Sequence, residues 1–219
     1  MNLVTDPSGA QIVTYVTSVL TEKLEAGASV LWLVPGGSAM ASASRVLENL
    51  EDVDTSRLCI TLTDERFGAP GHEDENWSQL ARLGFVLHSI NAYRVLRGED
   101  AETTAADFSA KLEELFETYD YKLGMFGVGA DGHTAGIKPH TVAVTSGELA
   151  ASFKGEDFER ITMTPEAVRR LDEAVVYAYG DEKHATLQQI LHETIRLEDQ
   201  PAQIFKELPK ATLFSDLTE

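Results

Sequence analysis

The stretch "SVLWLVPGGSAMASASRVLENL", residues 29–50, decides the fold. Residues 29–34 read as a short strand buried on both faces, because Val30 to Val34 form a run of large apolar side chains too short for a helix. Pro35, Gly36 and Gly37 end it, and "SAMASASRVLENL" continues as a helix with Ser38 as its expected N-cap. A buried strand, a glycine turn and a helix in that order begin a crossover to a parallel neighbour.

Working outward, the same punctuation returns. "LCITLTDERF" reads as a strand over 58–63 ending in charge, and "YKLGMFGVGADG" as a strand over 121–128 ending in glycine. "AVVYAYGDEKHATLQQIL" is a strand (174–179) followed by a helix, and "ATLFSDL" (211–217) is a short final strand. Residues 8–26 place Ile12, Val16, Val19, Leu20 and Leu24 at helical spacing, with Gly27 as a stop. Further helices are expected at 75–83, 103–118 and 181–195. The stretch 141–159, "TVAVTSGELAASFKGEDFE", has weak periodicity and reads as a loop holding at most one short element. Strands alternating with helices predict an α/β fold: one domain over 1–219, doubly wound and Rossmann-like, with a mostly parallel sheet and helices on both faces.

Composition limits the function. The 219 residues can bury one large core, and 43% apolar with 25% charged residues is ordinary globular usage. The formal charge of −18 disfavours nucleic acid or an anionic membrane as partner. Cys59 is the only cysteine, so an intrachain disulfide and a cysteine zinc site are excluded; a buried strand thiol is expected. The first residues lack a basic segment followed by an apolar run, and no apolar run is long enough for a bilayer, so a cytoplasmic protein is expected.

In open parallel sheets, ligands gather at the carboxyl ends of the strands. There the chain places Gly36, Gly37 and Ser38, then Asp64, Glu65 and Arg66, then Asp131, Gly132 and His133, and finally Gly180 to Lys183. "PGGS" before a helix can cradle an anion with backbone N–H groups, or simply make a tight turn. It is neither a Walker loop nor a dinucleotide fingerprint. Arg66 offers a planar fork for a phosphate or carboxylate, although "TDERF" alone also reads as a surface ion-pair cluster. His133, with a carboxylate two residues before it, suits general-base activation of water, although a lone loop histidine also reads as a solvated or structural residue. Lys183 in the first turn of a helix opposes the helix dipole, a placement that either an anionic partner or a side chain turned to solvent would explain. Metal ligation has no support in the spacing: HExxH is absent, and His133 and His140 lie seven residues apart across a proline.

These segments together resemble the 6-phosphogluconolactonase family, within the superfamily that includes glucosamine-6-phosphate deaminases and isomerases. "LVPGGS" is similar to its glycine-rich phosphate loop, and "LTDERFGAPGHEDENW" to its D-E-R segment with a downstream S-N-Y. "GVGADGHTAGIKP" resembles the G-x-G-x-D-G-H-T-A-S-L-F-P signature, and "ERITMT" the R-I-T-L-T segment. "YAYGDEKHATL" falls on the G-x-x-K segment, and "PAQIFKELPKATLFSD" on the C-terminal stretch. The resemblance implies hydrolysis of 6-phosphogluconolactone to 6-phosphogluconate in the pentose phosphate pathway. His133 would be the base, and Asp131 would orient it or contact the sugar. Gly36, Gly37, Ser38, Asp64, Arg66, Arg160 and Lys183 would bind substrate. No cofactor or metal is implied, and the chain would act as a monomer or small homo-oligomer.

Three departures bear on specificity. Gly136 and Lys138 stand where the family has serine and phenylalanine, "SFKGEDFE" replaces a proline-rich approach to R-I-T, and Trp77 replaces tyrosine. In the deaminases a glutamate lies five residues past the histidine; here that position is Lys138, which favours the lactonase. A deaminase or isomerase, and a non-catalytic sugar-phosphate sensor, are the alternatives. Against the net charge of −18, a sugar phosphate still binds if the cations converge, because contacts within about 4 Å outweigh charges screened beyond about 8 Å.

Overall fold

The computed structural model describes residues 1–218. Ten strands follow the chain as β1 (Asn2–Thr5), β2 (Val30–Val34), β3 (Leu58–Leu62), β4 (Asp64–Arg66), β5 (Asn91–Ala92), β6 (Tyr121–Gly127), β7 (Ala150–Lys154), β8 (Glu159–Met163), β9 (Glu173–Tyr177) and β10 (Ala211–Ser215). Seven helices lie between them: α1 (Ala10–Glu25), α2 (Met40–Glu48), α3 (Asn76–Arg82), α4 (Ala101–Thr118), α5 (Val142–Thr145), α6 (Pro165–Arg169) and α7 (Asp181–His192).

Seven strands form one sheet in the order β1-β10-β9-β6-β2-β3-β5, and every neighbouring pair is parallel. The β2 run is wholly buried, as its unbroken apolar character requires at a central position. Cys59 is buried on β3, as expected. From β2 the chain steps outward to β3 and β5, then returns to place β6 on the other side of β2. The order therefore reverses between β2 and β6, and the loops that leave their carboxyl ends flank a crevice.

The second sheet corrects the reading of 141–159 as a loop. That stretch holds α5, β7 and the first residue of β8, and β7, β8 and β4 make a three-stranded antiparallel sheet. Alanine-rich β7 and the three charged residues of β4 have little strand propensity of their own; pairing through β8 holds them extended. Thr63 joins the two sheets, its N–H donating to the Val34 carbonyl at 3.0 Å and its carbonyl accepting from Met163 at 3.0 Å. The short edge strands β1 and β5 were also not expected, being too brief to carry a pattern. Buried apolar side chains run as one cluster from Ile12 to Leu217. No helix among the described residues is long and apolar enough to cross a membrane.

Candidate active site

The crevice at the reversal point holds a cavity of about 280 Å³. Gly36, Gly37, Ser38, Asp64, Arg66, His133, Arg160 and Lys183 all line it, so residues from five separate segments converge. Asp131 does not line it and instead touches His133 from behind. A larger groove of about 830 Å³ runs between α4 and β7, but it is lined mainly by alanines, serines and charged side chains and contains none of these residues.

The glycine loop follows β2. Gly37 has φ 66°, a left-handed conformation that favours glycine. A Cβ on Gly36 would meet the Asn76 amide nitrogen at 2.6 Å, so only glycine lets the loop close over that side chain. Ser38 does not cap a helix as expected. It lies exposed in a short 3₁₀ turn, Gly37–Ala39, which separates it from the start of α2, and its side chain makes no capping bond. The hydroxyl is thereby left at the cavity rim.

His133 is held by the loop after β6. Its Nδ1 lies 2.5 Å from Asp131 Oδ1, and the same oxygen accepts the His133 backbone N–H at 3.1 Å. With Nδ1–H donated to the carboxylate, the Nε2 lone pair remains as the basic end. That hydrogen bond holds the Asp131 carboxyl down at about 2. A Cβ on Gly129 would fall 2.2 Å from the imidazole, so glycine there gives the ring its seat. Thr186 of α7 donates to the Ala130 carbonyl at 2.5 Å, tying this loop to the helix that carries Lys183.

Alternation along β4 puts Asp64 and Arg66 on one face and Glu65 on the other. Glu65, 1% exposed, accepts the backbone N–H groups of Asn76 at 2.6 Å, Arg66 at 2.7 Å and Trp77 at 3.2 Å. It thus fastens the first turn of α3 to β4. Burial pushes its carboxyl up to about 8, against the pull of those three donors. Burial also raises Asp64, with Arg160 pulling it back. The sequence reading missed Asn76 and grouped Glu65 with Asp64 and Arg66 at the ligand end; the period-2 alternation of "DER" is the signal that turns Glu65 away from the ligand. Asn76 lines the cavity, donates to the Asp64 carbonyl at 3.0 Å, and its buried Oδ1 has no partner among the described residues.

On the far side, Asp216 accepts the Gly180 N–H at 3.2 Å and lies 3.0 Å from His184 Nε2, which seats the first turn of α7 and so Lys183. Asp181, His184 and Asp216 bring three ligand atoms within 4.8 Å of one another, the one such grouping among the described residues, and it lies outside the cavity. Lys138 does not line the cavity either; its Nζ lies 3.9 Å from Asp157.

The sequence pattern of the family described as glucosamine-6-phosphate isomerases/6-phosphogluconolactonase matches residues 6–214. The chain belongs to that family. Among curated members, a glucosamine-6-phosphate deaminase from Streptococcus thermophilus is 26% identical over 90% of this chain and 89% of its own length. A 6-phosphogluconolactonase from Treponema pallidum is 28% identical over 80% of this chain and 78% of its own. Of solved structures in the family, a 6-phosphogluconolactonase from Shewanella baltica superposes with a TM-score of 0.81 at 21% identity, covering 98% of this chain and 96% of the other. That likeness establishes the α/β fold expected from the strand pattern. Both activities of the family are thus represented among its relatives, and the choice between them rests on the site.

Proposed function

We propose that the chain hydrolyses 6-phosphogluconolactone to 6-phosphogluconate. The observation that carries this reading is the Asp131–His133 pair, joined at 2.5 Å, in a cavity that also gathers Arg66, Arg160 and Lys183. His133 Nε2 takes a proton from water as the water oxygen adds to the lactone carbonyl. As the tetrahedral intermediate collapses, the ring C–O bond breaks and the imidazolium returns its proton to the departing oxygen. Asp131 holds the tautomer and supports the transient positive charge. Arg66, Arg160, Lys183 and Ser38 hold the phosphate or nearby hydroxyls, Gly36 and Gly37 shape the loop that carries Ser38, and Asp64 is a further substrate contact. The lactone is already an activated ester, so this machinery needs no covalent nucleophile.

The second reading is ring opening and deamination of an amino-sugar phosphate, favoured by the deaminase among the relatives. Against it stands Lys138, five residues past His133, where the deaminases carry an acid; its ammonium is turned toward Asp157.

Proton release from the lactone, measured above its spontaneous hydrolysis, tests the proposal. His133→Asn is expected to lower kcat by about 10²–10⁴-fold. Equal rates for the two proteins would remove His133 from its role, and ammonia release from glucosamine 6-phosphate would favour the second reading.

A further inference from the structure

The β7–β8 hairpin tip, residues 155–158, is the part of "SFKGEDFE" that departs from the family's proline-rich segment, and it is built around Arg160. Asp157 accepts from Arg160 Nη1 at 2.6 Å and from Nη2 at 2.9 Å, and the Phe158 carbonyl lies 3.4 Å from Nη1. Asp157 is itself oriented by the Phe158 N–H at 2.9 Å. A Cβ on Gly155 would fall 2.9 Å from Arg160 Nη1, so glycine there admits the guanidinium against the tip. The Phe158 ring lies under both cations, 4.4 Å from the Arg66 guanidinium carbon and 5.6 Å from that of Arg160.

This support answers a problem created by the strand register. Arg66 and Arg160 are direct cross-strand partners, and like charges so placed repel. Asp157 offsets one of them without entering the cavity, since Arg160 lines it and Asp157 does not. Of the five guanidinium N–H groups, two go to Asp157 and a third faces the Phe158 carbonyl. Nε–H and the second Nη2–H share the remaining edge and have no protein acceptor among the described residues. An arginine fixed along one edge and open along the other is a prepared seat for a planar pair of anionic oxygens.

We infer that Asp157 is a positioning residue, pinning one edge of Arg160 from outside the cavity so that the other edge meets the phosphate of the ligand. The inference rests on the assignment of Arg160 as a phosphate contact. Removing Asp157 has two opposed effects: a nearby negative charge is lost, which favours an anion, and the guanidinium is released, which disfavours it. Asp157→Asn separates them, because it removes the charge and keeps one acceptor oxygen.

Calorimetric titration with 6-phosphogluconate, with gluconate as the phosphate-free control, reads the outcome. Asp157→Ala is expected to weaken 6-phosphogluconate about tenfold and Asp157→Asn less, with gluconate binding unchanged. In an Arg160→Ala background the Asp157→Ala effect should vanish, a coupling that a general loss of stability would not produce. In turnover, KM should rise while kcat holds. Tighter binding in both Asp157 variants would identify a competing carboxylate and overturn the inference. So would an Asp157→Ala effect that persists without Arg160, or the absence of 6-phosphogluconate binding by the unaltered chain. If the titrations behave as expected but the lactone is not turned over, the proposed reaction fails and the inference stands.

Discussion

At the scale of single residues, His133 and Asp131 act as one unit. Their 2.5 Å contact holds Asp131 down at about 2 because the carboxylate is the better acceptor for the ring N–H. His133→Asn should therefore return the Asp131 carboxyl toward an ordinary value of about 3.9, read by carbon NMR titration. An Asp131 that still titrates near its former position would mean that the backbone N–H, not the imidazole, sets it. That most of these residues gather in one place was legible in the sequence, because polar residues that follow strand ends meet where parallel strands end together. Two exceptions are instructive. Ser38 stood where a cap belongs, but the intervening 3₁₀ turn displaced the helix start beyond it. The direction of Lys138 could not be read, since its partner Asp157 is brought near only by the hairpin.

Among the elements, the small antiparallel sheet does work that no local pattern announced. It carries Asp64, Arg66 and Arg160 on two paired strands, and β4 is extended only because β8 lies beside it. Sequence periodicity detects elements that bury a face by themselves, as β2 and α1 do, and misses strands made by their partners. The anchor between this sheet and α3 is Glu65. Glu65→Ala leaves three backbone N–H groups, two of them buried, without an acceptor and should cost about 3 kcal/mol in urea unfolding, while Glu65→Gln keeps part of the bonding and costs less. Equal losses in the two variants would contradict the bonding assigned to that carboxyl. The pH dependence has a definite sign. A folded value near 8 against an ordinary 4.5 means the native state holds the proton more tightly. Its contribution is therefore fully present below about 4.5 and fades as pH rises through about 8. Between pH 5 and 9 the unaltered chain should lose stability relative to Glu65→Gln.

For the whole molecule, the reversal of strand order between β2 and β6 explains why distant segments meet. Both loops beside the crevice leave parallel strands at the same end, and the small sheet and α7 close its sides. Against a formal charge of −18, Arg66, Arg160 and Lys183 are gathered in that one cavity, which concentrates positive charge where a phosphate would sit. The parallel sheet and its order of strands and helices followed from alternating buried runs and glycine turns. The doubly wound sheet implied a reversal, but its place between β2 and β6 was not legible, because which strands neighbour one another depends on crossovers that leave no mark in residue patterns. The most direct test is a crystal structure with 6-phosphogluconate bound. Its phosphate should lie within hydrogen-bond reach of Arg66, Arg160 and Lys183, with the carboxylate carbon beside His133 Nε2. A phosphate seated against His133, or a ligand bound in the α4–β7 groove instead, would contradict the assignment of the site.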